Sequence, residues 1–171
     1  SSDLGRDRAA EEELRTLMRE GADLDIAFHL ARLLERQGRR EEAREVLSEL
    51  ASDLDQADRD AEARQTRVQL TYLLARQQEW QQVVELTDRL LAGAVEATDL
   101  EVVLLRAEAL SRLDRQSQAL KTLSKVGDDL PDARLARAKE AELLLALGRE
   151  REAAKRLDRI AADGEIRSLL L

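Results

Sequence analysis

The sequence predicts an all-α fold in which helical hairpins stack into a solenoid. Charged residues make up 37% of the 171 residues and aromatic residues only 2%, which favours helices rich in Ala, Leu, Glu and Arg over β-sheets. One proline and seven glycines leave long stretches in which a helix can continue. The third observation is a spacing of small and large apolar residues that occurs four times along the chain.

The repeat is clearest when Gly38 is aligned with Gly148. Each glycine has an Ala seven residues and a Leu four residues before it, an Ala five residues after it, and large apolar residues nine and twelve after it. The same frame fits around Gln78 and Asp114, so the anchors at 38, 78, 114 and 148 are separated by 40, 36 and 34 residues. Spacings of three and four give one apolar stripe on each of two helices. Each unit is therefore predicted to be a hairpin with a left-handed helix cap at its turn.

The repeat divides the chain into consecutive units. Residues 8–21 are predicted to be the second helix of a preceding unit, complete units cover 24–63, 64–99, 100–133 and 134–163, and a further helix begins within 165–171. Pro131 falls between the third and fourth units, where one helix must stop. Extra polar sequence at 52–63 and 92–99 predicts either longer second helices or longer loops. Neither end has the polar face of a capping unit, so we expect an excerpt of a longer array.

A small residue, a large apolar residue, a glycine, an alanine and a large apolar residue, with a proline between units, resemble the tetratricopeptide repeat (TPR). The resemblance covers roughly residues 24–163, although Leu replaces most of the family's bulky aromatic residues. It implies a right-handed superhelical solenoid of TPR-like helical hairpins whose first helices line a concave face. It also implies a non-catalytic scaffold that binds a partner protein or peptide along that face.

Composition argues against several other classes of function. The net charge of −8 makes nucleic acid an unsuitable partner, and no apolar run approaches the roughly 20 residues that span a bilayer. The chain has no cysteine and no Gly-rich phosphate loop, and its single histidine, His29, has no second His or Cys with which to share a metal. We therefore predict no enzyme activity, no cofactor and no metal site.

Arginines define the candidate binding surface. Arg36, Arg76 and Arg112 each stand two residues before a turn. They either offset the helix dipole, at about 0.3–1 kcal/mol each, or form a docking rail for acidic side chains or a C-terminal carboxylate. Glu35 and Glu108 dilute the charge of this face, and the Lys/Asn carboxylate clamp of chaperone-binding TPRs is not visible. The predicted partner-binding residues on the concave face are His29, Arg32, Arg36, Gln69, Tyr72, Arg76, Glu108 and Arg112.

Two aromatic residues have distinct predicted roles. Trp80 lies two residues after the Gln78 turn, where this repeat usually packs an aromatic ring between its helices; the alternative is a binding hot spot. Tyr72 is expected to face the concave surface, where a phenol combines rigid contact area with a polar tip.

The arginine content suggests a biological setting. Four lysines among 28 basic residues leave 24 arginines, consistent with a GC-rich bacterial genome. Leu-based arrays of this kind resemble the periplasmic TPR regions of bacterial exopolysaccharide (Pel-like) export proteins. That resemblance implies the periplasm, biofilm formation, a larger membrane-associated protein and a polysaccharide-modifying enzyme as partner, with the cytoplasm left open. A polysaccharide-guiding segment is less favoured, because sugar grooves stack rings on aromatics and this chain has three. A self-associating structural solenoid, joined through apolar ends, is the third alternative.

Overall fold

The computed structural model describes residues 2–21, 23–93 and 95–169, with side chains over 5–21, 23–93 and 95–162. These residues form nine α-helices and one short 3₁₀ turn, and no strand occurs among them. The helices fall into two compact units, Ser1–Glu79 and Trp80–Leu171. Within the described part of the chain, no helix combines the length and apolar character that a membrane span requires.

The first unit contains four helices in sequence. They are α1 (Ser2–Glu20), α2 (Leu24–Arg36), α3 (Arg40–Gln56) and α4 (Asp60–Arg76). Each helix packs against the next, and α2 also contacts α4. The core is built from leucines such as Leu30, Leu34 and Leu54, and Ala43 and Ala63 are fully buried where helices approach closely.

The second unit contains five helices. They are α5 (Trp80–Leu90), α6 (Leu100–Arg112), α7 (Gln116–Leu123), α8 (Ala133–Ala146) and α9 (Glu150–Leu169), with the 3₁₀ turn (Ala97–Asp99) before α6. Each of these helices packs against the next one in the chain, and α6 also contacts α8. Pro131 lies in the connection between α7 and α8, as predicted.

One turn geometry recurs at five helix ends. Its central residue has a positive φ of 55° to 78° at Gly38, Asp58, Gln78, Asp114 and Gly148. At the first of these turns, Gly38 N–H donates to the Glu35 carbonyl and Arg39 N–H donates to the Leu34 carbonyl, each at 2.9 Å. This pair of bonds is a Schellman cap, which satisfies carbonyls at the helix end. The leucine four residues before the turn is buried in all five cases.

The two polar insertions adopt different structures. Residues 52–63 are mostly helical, because α3 continues to Gln56 and α4 begins at Asp60, after the turn at Asp58. The segment 92–99 is instead a loop that ends in the 3₁₀ turn, where the Asp99 carboxylate accepts from the Glu96 N–H at 2.9 Å. Both predicted alternatives therefore occur, one in each insertion.

Helix bounds differ from the predicted units at two places. The predicted boundary between 63 and 64 lies inside α4, where Ala63 is fully buried. Residues 165–169, predicted to begin a further helix, continue α9 without a break, and 170–171 lie outside the described residues. The first difference arises because a left-handed turn at Asp58 ends α3, so that α4 begins at Asp60, before the predicted boundary.

The predicted helix–helix contact positions are otherwise confirmed by burial. The small or branched residues of the frame are all less than 5% exposed: Ala31, Ala43, Thr71, Val83, Ala107, Ala119, Ala141 and Ala153. Leu157 is an exception at 48% exposed, because among the described helices α9 packs only against α8. Leu17 on α1 is exposed to 38% for a similar reason, since among the described helices α1 packs mainly against α2.

A buried ion pair ties α8 to the end of α7. The Arg137 Nη1 lies 2.9 Å from the Glu140 Oε2, and the two side chains are only 8% and 2% exposed. Arg137 also donates to the Val126 carbonyl, and its Nε donates to the Asp128 carboxylate at 2.9 Å. The Arg156 Nε of α9 lies 3.0 Å from the same Glu140 oxygen, without the alignment of a hydrogen bond. Glu140 therefore balances charge from two helices.

Candidate protein-interaction surface

Within the first unit, α2 and α4 bring three of the predicted residues together. Arg32, Gln69 and Arg76 line one shallow depression, beside the ring of Phe28. Its cavity volume of about 10 Å³ holds about one water molecule, so the depression is not a pocket for a small ligand. The surface suits an extended contact with another macromolecule better than the capture of a metabolite.

The arginines of this unit differ in their ion pairs. Arg76 donates from Nη2 and Nε to the Glu35 carboxylate, at 3.0 Å and 3.2 Å. Arg32 and Arg36 are exposed and form no ion pair within the part of the chain that is described. Glu35 therefore neutralises Arg76, and of the three predicted arginines in the first unit it leaves Arg32 and Arg36 open to a partner.

The remaining predicted residues of the first unit lie on the same two helices. His29 is exposed, and its Nδ1 lies 2.6 Å from the Asp25 backbone oxygen, one helical turn earlier. Tyr72 is half-buried on α4. No group of three or more His, Cys, Asp and Glu side chains is arranged to hold a metal ion among the described residues.

In the second unit, Glu108 and Arg112 form a local pair on α6. Arg112 Nε donates to the Glu108 carboxylate at 2.7 Å, and Lys139 Nζ on α8 lies 3.2 Å from the same carboxylate. The hydrogen bond from Arg112 lowers the pKa of Glu108 against the opposing effect of burial, and Lys139 lowers it further. This carboxylate therefore stays charged at neutral pH.

Trp80 combines features of both predicted roles. It is the first residue of α5 and is half-buried, as a packing position would be. The Arg112 guanidinium carbon lies 5.6 Å from the centre of its ring, within the range of a cation–π contact. The ring thus orients one of the predicted arginines.

All three rail arginines lie in the last turn of their helices, α2, α4 and α6. That position satisfies the dipole interpretation for each of them. The same position leaves their side chains exposed, as the docking interpretation requires. Binding through this surface stays a prediction.

The fold matches known structures built of TPR-like repeats. TPR-like repeats assigned to a kinesin light chain of Podosopora anserina give a TM-score of 0.65 at 17% identity, covering 94% of this chain and 88% of that one. MamA from Desulfovibrio magneticus RS-1 gives 0.65 at 14% identity over 94% and 86%, and MamA of strain MSR-1 gives 0.63 at 19% over 97% and 91%. The predicted fold class, an all-α solenoid of TPR-like hairpins, is confirmed. No protein-family model and no curated protein matches the sequence.

Proposed function

We propose that this chain is a non-catalytic scaffold that binds an acidic segment of a partner protein along its first-helix face. The observation that carries the proposal is the pair Arg32 and Arg36, two exposed cations without carboxylate partners among the described residues of a chain whose net charge is −8. They stand beside Phe28 and Gln69, which add apolar and hydrogen-bonding surface. Planar guanidinium groups pair well with carboxylates, and such a face is complementary to Asp- and Glu-rich sequence.

The setting we propose is the bacterial periplasm, as part of a larger export protein of the Pel-like exopolysaccharide type. The support is the excess of arginine over lysine and the replacement of TPR aromatics by leucine. In this setting the partner is a polysaccharide-modifying enzyme, which the scaffold holds near the exported polymer. Biofilm formation is the corresponding cellular role.

A pull-down with mass spectrometry tests the proposal. The wild-type chain and a charge-reversed rail variant serve as paired baits, the variant being Arg32→Glu, Arg36→Glu and Arg76→Glu. A matched control reverses three other exposed arginines that form no ion pair among the described residues: Arg89→Glu, Arg134→Glu and Arg151→Glu. We expect one partner to be retained by the wild type and the control and lost from the rail variant. Equal retention by all three baits would contradict the first-helix face as the binding surface.

Self-association is a second candidate, favoured by exposed leucines on the last hairpin. Leu135, Leu145, Leu147 and Leu157 of this hairpin are 42–53% exposed, so four large apolar side chains are open to a second copy of the chain. Sedimentation velocity across a hundredfold concentration range should show a dimer that Leu145→Glu and Leu157→Glu abolish. A wild-type chain that stays monomeric throughout excludes this candidate.

A further inference from the structure

A second cationic site lies in the second unit, between α5, α6 and α7. It is a cavity of about 340 Å³, lined by Asp88, Val103, Arg106, Lys121, Thr122 and Lys125 together with three further residues. The volume is within the range of ligand-binding clefts and suffices for one or two amino-acid side chains. It contains three of the cationic side chains of an acidic protein and only one carboxylate.

The single carboxylate of the cavity, Asp88, already forms an ion pair. The Asp88 Oδ1 lies 2.9 Å from the Arg106 Nη2, and Arg106 Nη1 donates to the Val84 carbonyl at 2.7 Å and to the Thr87 hydroxyl at 3.3 Å. These contacts fix Arg106 as one wall of the cavity. Arg106 also balances the negative charge of Asp88, so that this carboxylate does not neutralise the two lysines.

The two lysines have no such partner. Lys121 and Lys125 are exposed, and neither forms an ion pair within the described ranges. They stand on the last turn of α7 and just beyond it, where they offset the dipole of an eight-residue helix. That role accounts for positive charge at a helix end, but it does not account for a cavity between the charges, with the half-buried Leu91 and Val95 as an apolar surface inside it.

Within the second unit, this site is separate from the predicted concave-face pair of Glu108 and Arg112. Arg106 contacts α5, whereas Glu108, two residues later on the same helix, contacts Lys139 of α8. Two residues correspond to about 200° around an α-helix, so the two side chains leave α6 in nearly opposite directions. Substitutions can therefore address one site without the other.

We infer that this cavity binds an acidic segment of a partner protein, with an Asp or Glu carboxylate between Lys121 and Lys125 and a neighbouring aliphatic side chain against Leu91 and Val95. The inference rests on the proposed scaffold function and adds a second contact point to it. Charge complementarity selects the occupant, because the site places lysines around an apolar surface and holds no free carboxylate.

Selection of random dodecapeptides on the full chain, followed by anisotropy measurements on the recovered peptides, tests the inference. We expect sequences rich in Asp and Glu beside Leu, Ile or Val, with binding that weakens as salt is raised. Lys121→Glu should weaken binding about tenfold and Lys121→Gln by less, since the first reverses the charge and the second only removes it. Lys155→Glu, an exposed lysine of α9 in the same unit, should leave the affinity unchanged. Far-UV circular dichroism confirms that each variant is folded.

Three results would overturn the inference. Recovered peptides without acidic enrichment contradict the chemistry of the site. Acidic peptides that tolerate Lys121→Glu but are lost on Arg36→Glu with Arg76→Glu belong to the arginine rail. Free glutarate that competes at the same concentration as the peptides assigns the cavity to small anions. The proposed scaffold function is tested separately by the pull-down. It fails if the wild-type chain retains no protein there, whatever the peptide selection shows.

Discussion

Removal of the buried Glu140 carboxylate should unfold the second unit far more easily than removal of an exposed one. Glu140→Ala leaves Arg137, whose side chain is 8% exposed, without its buried counter-charge. Two unit charges about 4 Å apart interact by about 4 kcal/mol at an effective dielectric constant of 20. Breaking a buried pair by deleting one partner costs about 3–5 kcal/mol in proteins, which agrees. The retained bond from Arg137 to Asp128 places the expected loss near the lower end.

Urea unfolding followed by tryptophan fluorescence measures this loss. Trp80 is the only tryptophan and lies in the second unit, so its fluorescence reports on that unit. With a denaturant slope of about 1–3 kcal/mol per molar urea, a loss of 3 kcal/mol lowers the midpoint by about 1 M or more. Far-UV circular dichroism follows the helices of the whole chain in the same titration.

Glu142→Ala is the matched control. Glu142 lies two residues later on α8, has a side chain 68% exposed, and pairs with Lys139 at 3.1 Å. Exposed pairs contribute about 0.2–1 kcal/mol, so its midpoint should shift little. The double variant Arg137→Met with Glu140→Leu should be more stable than Glu140→Ala, because no buried charge is left unpaired. A Glu140→Ala loss below about 1 kcal/mol, or equal to that of Glu142→Ala, would refute the reasoning.

Three further predictions concern the turns, the close helix contacts and the surface carboxylates. Ala63→Glu should lower the melting temperature of the first unit strongly, because it forces a charge into a fully buried helix contact. Ala61→Glu, on the exposed face of the same helix, should change the melting temperature little. Equal melting temperatures for the two variants would place Ala63 outside the core. Gln78→Gly should stabilise the chain by up to about 1 kcal/mol, because φ is 61° there and glycine adopts a positive φ without strain. Gln65→Gly, inside α4, should destabilise the chain by about as much. Thermal melts that show the reverse order of stability would argue against the left-handed turn. Ion pairs lower the pKa of carboxylates such as Glu108, so their contribution to stability is fully present above the unfolded pKa of 4.5 and is lost as pH falls through the lower folded pKa. Glu108→Gln should therefore reduce the dependence of the unfolding free energy on pH, measured by urea titration at several pH values. An unchanged pH dependence would contradict the pairing.

The class of fold could be predicted because its signal is local. Leu34, Gly38 and Ala43 lie within ten residues of each other, and their spacing alone indicates a helix end and a close helix contact. The turn at Asp58 was missed, although Leu54 and Ala63 stand at the same offsets from it. The four anchors of the repeat are 34 to 40 residues apart and mark the turn within each hairpin, whereas Asp58 lies between two hairpins, halfway between the anchors at 38 and 78.

Features that depend on packing between helices could not be predicted. The sequence around Glu140 alternates charged and apolar residues and is typical of an exposed helix face, and only the positions of Arg137 and Arg156 show that this carboxylate is buried. The cavity at Lys121 and Lys125 was missed for a related reason. A pair of lysines four residues apart in an arginine-rich chain was a usable signal, but the space between α5, α6 and α7 is a property of the folded unit.

The five repeated turns have a consequence for folding kinetics. Each is closed by backbone hydrogen bonds that span no more than six residues, and within each unit helices pack mainly against their neighbours in sequence. Contacts this local close short loops and lose little chain entropy, so helical proteins of this kind fold within microseconds to milliseconds. A chain emerging from the ribosome can therefore complete its α2–α3 hairpin before α4 has been synthesised, which shortens the time that its leucines spend exposed to other nascent chains.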